Sequence, residues 1–260
     1  MIKYCDIKNT IIGQDRVKVC VPLVATNEEE ILKQADEIID ASNKETIDII
    51  EFRADYYDQL NDLYRLSVLL KKLQAKFEEK VFLFTIRSEK EGGEKLSFAT
   101  PSILDINKFV IENRLADMVD IELFSIVNED VSLMKLAHKN NVKIIMSNHD
   151  FNTTPSVDQM LVRLRSMQDI GADIAKIAVM PENRRHVLNL LEATSIMSDQ
   201  YAKIPIVTIS MGELGKLTRV SGGIFGSAMT FSSLDRSSAP GQIPLEKLNN
   251  LLDEFSIRIE

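Results

Sequence analysis

Short apolar runs and longer amphipathic stretches alternate along this chain from near its start to its end. Runs rich in valine, isoleucine and phenylalanine fall at 17–23, 47–53, 81–87, 118–122, 142–147, 174–179, 204–210 and 224–229, and each reads as a buried strand. Between them apolar residues recur at helical spacing, over 103–115, 128–140, 156–170, 184–202 and 214–220, with earlier helices to Ser42 and over 60–79 and a last one at 245–255. Thr26 or Asn27 before Glu28-Glu29-Glu30 is a helix start, because it puts acids in the positive first turn. Residues 2–12 mix apolar and polar side chains and end at Gly13-Gln14-Asp15, the pattern of a small hairpin.

About eight strand-helix units in one chain are what a closed parallel barrel needs. An open doubly wound sheet carries a glycine-rich loop after its first strand, and Pro22-Leu23-Val24-Ala25-Thr26 contains no glycine. The expected fold is therefore α/β, a (β/α)8 TIM barrel, with the N-terminal hairpin (residues 1–15) closing the bottom of the barrel. No Pro/Gly/Ser linker or low-complexity segment interrupts the pattern, so residues 1–260 are expected to form one domain.

Composition narrows the partners. With 45% hydrophobic and 27% charged residues, the chain can bury a sizeable core. A formal charge of -8, from 39 acidic and 31 basic residues, leaves no basic stripe for nucleic acid. The N-terminus has no apolar core of signal-peptide length and no run is long enough to span a bilayer, so a cytoplasmic protein without a membrane partner is expected. Cys5 and Cys20 lack metal-ligand spacing and read as small buried side chains.

One lysine breaks the apolar pattern. Lys176 lies inside Ala175-Lys176-Ile177-Ala178-Val179, and an ammonium taken out of water tends toward the free amine, which can attack a carbonyl. An edge-strand or snorkelling lysine fits the same run. In a barrel the active site lies at the C-terminal ends of the strands, and that filter selects Glu51, Arg53, Arg87 and His149 together with Lys176. Residues two apart share a strand face, so Glu51 points with Arg53 and Ser147 with His149. Singly, Glu51 and Arg53 also fit a structural ion pair, Arg87 a strand cap, and His149 a satisfied polar residue. Together they converge on a site for an anionic or polyhydroxylated substrate. His138 and His186 fall in helical stretches and are expected to be exposed, and three scattered histidines suggest no metal site. The glycines of Ser221-Gly222-Gly223-Ile224-Phe225-Gly226-Ser227 fit either a phosphate cradle near the eighth strand or a helix cap and tight turn.

Seven segments carry a family resemblance: Glu51-Phe52-Arg53-Ala54-Asp55, Thr85-Ile86-Arg87 with Glu91-Gly92-Gly93 after it, Ser147-Asn148-His149-Asp150-Phe151, Lys176-Ile177-Ala178-Val179-Met180-Pro181, Ser210-Met211-Gly212, Arg219, and Ser238-Ala239-Pro240-Gly241-Gln242. In this order they resemble the type I 3-dehydroquinate dehydratases, barrel lyases of the shikimate pathway of aromatic amino acid biosynthesis, over nearly the whole chain. The resemblance implies that Lys176 forms a Schiff base with the ketone of 3-dehydroquinate, without metal or cofactor, on the way to 3-dehydroshikimate. It makes His149 the general acid/base and Glu91 the residue that orients or tunes it.

The same resemblance assigns the substrate carboxylate to Arg219, and hydroxyl binding or support of Lys176 and the carboxylate to Glu51, Arg53 and Arg87. Phe151 and Met211 either pack on the substrate ring or are plain core at the barrel mouth. Ser238 and Gln242 lie on a lid loop at 231–242 that excludes water. A homodimer is implied as well. Ile209 and Pro22 stand where many members have methionine and some have serine. A Schiff-base aldolase and a catalytically silent binding barrel are the rival expectations.

Overall fold

In the computed structural model, which describes residues 3–126, 131–234 and 238–255, the barrel begins below its own floor. Strands β1 (Cys5–Ile7) and β2 (Thr10–Ile12) pair antiparallel with Cys5 opposite Ile12. The barrel wall follows in chain order as β3 (Lys18–Leu23), β4 (Ile49–Arg53), β5 (Val81–Thr85), β6 (Met118–Glu122), β7 (Lys143–Asp150), β8 (Ile174–Val179), β9 (Ile206–Ser210) and β10 (Met229–Ser233), all parallel. Outside it lie α1 (Glu28–Ser42), α2 (Leu63–Lys76), α3 (Ile103–Glu112), α4 (Ser132–Lys139), α5 (Val157–Ile170), α6 (Arg184–Ile196) and α7 (Gly212–Ser221). A two-residue strand β11 (Ile243–Pro244) beside β10 leads into α8 (Leu245–Glu254). Several helix starts are written locally: Asn27 accepts from the Glu30 amide, and Ser156 with Gln159 closes a capping box.

The two-residue period of the strands sorts every wall residue. On β4, Ile50 and Phe52 face the helices while Ile49, Glu51 and Arg53 face inward; on β8, Ala175 and Ile177 face out while Ile174, Lys176 and Ala178 face in. The first inward residue of most strands is apolar, and Ile49, Val81, Met118, Ile174 and Met229 meet Cys5, Ile7 and Ile12 of the hairpin. The hairpin thus plugs the bottom of the barrel as expected, and full burial of Ile12 contributes about 2 kcal/mol. One layer higher the inward residues become Glu51, Asp120 and Lys176, all buried. Between β9 and β10 the wall is joined by one parallel bridge, Ile206 to Ser227, with the Ala228 amide on the Ile206 carbonyl at 2.7 Å.

The eighth strand is corrected: it is β10, beginning at Met229, and not residues 224–229. Gly222–Phe225 form a 3-10 turn that Gly226 ends at φ 103°, and Ile224 is 45% exposed, so that apolar run covers surface. Of the two readings of these glycines, the helix cap and tight turn is the one found. They follow α7 at the N-terminal end of β9, across the barrel from the strand C-termini, and a Cβ on Gly223 would collide with Val17. The lid boundary also moves, since Phe231 to Ser233 belong to β10, where the Ser232 hydroxyl donates to the Ile243 carbonyl. Residues 235–237 of the expected loop, 1–2 of the hairpin segment and 128–130 of the fourth helix lie outside the described residues. β7 runs on to Asp150, which brings His149 into the strand itself.

Candidate active site

The C-terminal ends of the strands enclose a cavity of about 50 Å³, and each of the eleven candidate residues from the sequence lines it. Lys176 is 4% exposed, from the middle of β8, with Ser147 of β7 beside it in register. Its Nζ lies 3.4 Å from Asp120 Oδ2 and 4.4 Å from the centre of the Phe231 ring. Asp120 also accepts from Arg87 Nη2 at 2.8 Å and from the Ser147 hydroxyl at 2.6 Å. Burial works to raise the Asp120 carboxyl, but Arg87 and Lys176, with those hydrogen bonds, outweigh it and hold it below the usual carboxylate range. The carboxylate and the ring face are both placed to offset a positive charge that develops on this nitrogen during reaction.

His149 faces the same cavity and its Nδ1 lies 2.9 Å from Glu91 Oε2. That oxygen also accepts the His149 amide at 2.8 Å, and Glu91 Oε1 accepts from Asn148 Nδ2 at 3.0 Å. A carboxylate serving as acceptor puts the proton on Nδ1 and leaves the lone pair on Nε2. Burial, then the positive charges of Arg87, Lys176 and Arg53, hold His149 well below the usual imidazole range, so it is a neutral base at rest. Burial and the Glu122 carboxylate push Glu91 up to about 7, against Arg87 and its own hydrogen-bond donors. Glu91 reaches this place on a turn that needs its two glycines: Gly92 has φ 86° with the Phe151 ring against it, and Gly93 lies on the Arg87 carbonyl.

The arginines differ in what they have left to offer. Arg53 is held by Asp55 in two bonds of 2.9 and 2.7 Å, so the pairing of Glu51 with Arg53 does not occur; Glu51 accepts from the Thr85 hydroxyl at 2.9 Å. Arg87 is committed to Asp120, Glu122 and Ser147. Arg219, on α7, has no carboxylate partner among the described residues: it donates to the Phe231 carbonyl at 3.3 Å and the Pro240 carbonyl at 3.0 Å, and its Nε has no partner. Burial alone pulls this guanidinium down to about 10. Over the mouth, Gln242 Oε1 accepts the Ser238 amide at 2.8 Å and its Nε2 donates to the Ser238 hydroxyl at 3.0 Å. Met211, buried, precedes α7, whose first residue Gly212 has φ 66°.

Sequence reasoning missed Asp120, Glu122, Asp55, Asn148 and Phe231. Asp120 and Glu122 carried a usable signal, two acids at strand spacing in Met118-Val119-Asp120-Ile121-Glu122, the same pattern that selected Glu51 and Arg53. His138 is half exposed beside Asp173 on the outer surface, and His186 lies near Glu182 at the start of α6, both away from the cavity. Among the described residues no group of three or more His, Cys, Asp or Glu is placed to hold a metal ion.

The family model described as Type I 3-dehydroquinase matches residues 19–258. A 3-dehydroquinate dehydratase of Bacillus subtilis (strain 168) is 43% identical over 247 residues, 95% of each chain, and one of Clostridioides difficile (strain 630) is 42% identical over 256 residues, 97% of each. The crystal structure of a type I 3-dehydroquinate dehydratase from Clostridium difficile with covalently modified comenic acid has the same fold, with a TM-score of 0.92 at 41% identity over 98% of this chain and 99% of that one.

Proposed function

The chain belongs to the type I 3-dehydroquinase family and is a hydro-lyase acting on 3-dehydroquinate, and we propose that it works through a Schiff base on Lys176 with His149 as general acid/base. The observation that carries this is the placement of the Lys176 nitrogen in one cavity with the His149 imidazole, between the Asp120 carboxylate and the Phe231 ring.

Lys176 passes a proton to the neutral His149 Nε2 and adds to the substrate ketone as the free amine, and the imidazolium returns that proton to the carbinolamine hydroxyl, which leaves as water to give an iminium. The iminium draws electrons from the adjacent carbon, so His149 Nε2 can remove a proton there and leave an enamine. The enamine expels the β-hydroxyl, which His149 protonates so that it leaves as water, and a second water hydrolyses the conjugated iminium to free Lys176 and 3-dehydroshikimate. Glu91 holds Nδ1 and stabilises each imidazolium that forms. Asp120 and the Phe231 ring offset the positive charge that the nitrogen keeps in both iminium states.

Arg219 takes the substrate carboxylate on the guanidinium face that has no protein counter-charge. Glu51 and Arg53 meet hydroxyls, and Arg87 acts by fixing Asp120. Phe151 and Met211 bound the ring, and Ser238 and Gln242 close the mouth on one continuous domain, residues 1–260. A cytoplasmic homodimer completes the proposal: the two cysteines are buried thiols, as in a reducing compartment, and no helix among the described residues is long and apolar enough to cross a membrane.

Reduction with borohydride in the presence of 3-dehydroquinate, followed by intact mass and peptide mapping, tests the mechanism. An adduct on the Lys176 peptide is expected. Enone product without any adduct on Lys176 would overturn the assignment.

A further inference from the structure

We propose that Arg163 and Asn148 are positioning residues for catalysis, fixing Glu91 as the acceptor that aims His149; this inference rests on His149 being the acid/base. Asn148 faces outward on β7 between the inward Ser147 and His149, and Arg163 reaches it from α5, outside the barrel wall. Arg163 Nη1 lies 2.7 Å from Asn148 Oδ1. A guanidinium has only hydrogens to offer, so the amide must present its oxygen to Arg163. Its NH2 then points to Glu91 Oε1 at 3.0 Å, and Glu91 in turn must accept. The other carboxylate oxygen holds the amide and Nδ1 of His149. One surface charge thereby selects the tautomer of the imidazole two links away.

Without Arg163 the Asn148 amide can turn over and set its oxygen against Glu91 Oε1. Two acceptors in contact are reconciled by a proton on Glu91, and a neutral Glu91 is a poor partner for an imidazolium. Its surroundings make that shift easy, because burial and Glu122 already favour the proton while only Arg87, at 3.8 Å, opposes it by charge. Toward His149 the facing charges are Arg87, Lys176 and Arg53. Arg163 is kept in place by the Phe124 ring at 5.6 Å and by Asp150 at 4.0 Å.

The experiment is the pH profile of kcat/KM with 3-dehydroquinate for Arg163→Leu, Arg163→Lys and Asn148→Ala, each checked by thermal melting. Arg163→Leu and Asn148→Ala are expected to move the acidic limb upward by about one pH unit, a roughly tenfold loss near pH 6, with the alkaline plateau kept within about twofold. Arg163→Lys, which still donates, is expected to restore the limb. An unmoved limb, whether activity is kept or falls equally at every pH, would overturn the proposal. Full turnover by His149→Ala would instead remove its premise, and that result is separable from any outcome at Arg163. If Arg163→Leu does not fold, Asn148→Ala, which touches Glu91 directly, decides alone by the same limb.

Discussion

Replacing Arg219 by methionine keeps most of the stem and removes the charge. The guanidinium is 2% exposed, has an unpartnered Nε, and is pulled by burial from the usual arginine range down to about 10. The unfolded chain holds this proton more tightly than the folded one, so below about pH 10 the charge opposes folding, and the penalty fades as pH rises above about 10. At about 1.4 kcal/mol per pH unit, the penalty at neutral pH is about 3 kcal/mol. Losing two carbonyl hydrogen bonds returns about 1 kcal/mol each, although the Pro240 carbonyl keeps the Gly212 amide at 3.2 Å. The net gain for Arg219→Met is about 1 kcal/mol, or a rise in Tm of about 2–4 °C by calorimetry. The same variant is expected to lose at least about 100-fold in kcat/KM, measured by enone absorbance, because the substrate carboxylate loses a charged partner. A fall in Tm of several degrees with kcat/KM nearly kept would show Arg219 to be a structural strut and refute the reasoning.

Removing the imidazole with His149→Ala should lower kcat by about 10²–10⁴, with an unchanged circular dichroism spectrum; near-normal turnover would exclude it as acid/base. The kcat/KM of the unaltered enzyme should rise through about pH 7, because Glu91 must lose its proton to serve as an acceptor, and a flat profile between pH 5 and 8 would contradict this. Gly92→Ala, at φ 86° with the Phe151 ring in the way, should displace Glu91 and reduce kcat by more than about tenfold; retained kcat would mean the turn adapts. Ile12→Ala should cost about 3 kcal/mol and about 6–12 °C in Tm while leaving kcat unchanged, since the plug is across the barrel from the cavity; an unchanged Tm would refute the plug's role.

The fold was legible because the wall residues obey one rule: Ile50 and Phe52 out, Ile49 and Glu51 in, and so around the barrel. It failed at residues 224–229, where Ile224 and Phe225 have strand composition but sit on a 3-10 turn that Gly226 ends at positive φ, and where Gly223 packs too closely against Val17 for a side chain. In the site, charge late in an apolar strand found Glu51, Arg53, Arg87 and Lys176, and the family segments found Glu91 and Arg219. Arg163 escaped both routes because it lies on a helix, and Asn148, although inside a family segment, was given no part because it faces away from the cavity; only their contact in three dimensions gives them one. The pairing of Arg53 with Asp55 in place of Glu51 was equally unreadable, since it depends on the 3-10 turn Ala54–Tyr56 folding the acid back.

The single bridge between Ile206 and Ser227 makes the barrel a sheet sewn shut by one stitch. Every other seam is a multi-residue ladder, so breathing has a preferred direction and begins by parting β9 from β10. β9 leads through Met211 into α7 with Arg219, and β10 carries Phe231, which ties the weakest line of the wall to the substrate's anchors. A ligand that bridges Arg219 and Lys176 therefore laces the wall from inside, and its occupancy should slow amide exchange at Thr208 and Ala228, which lie along that seam at about the level of Lys176.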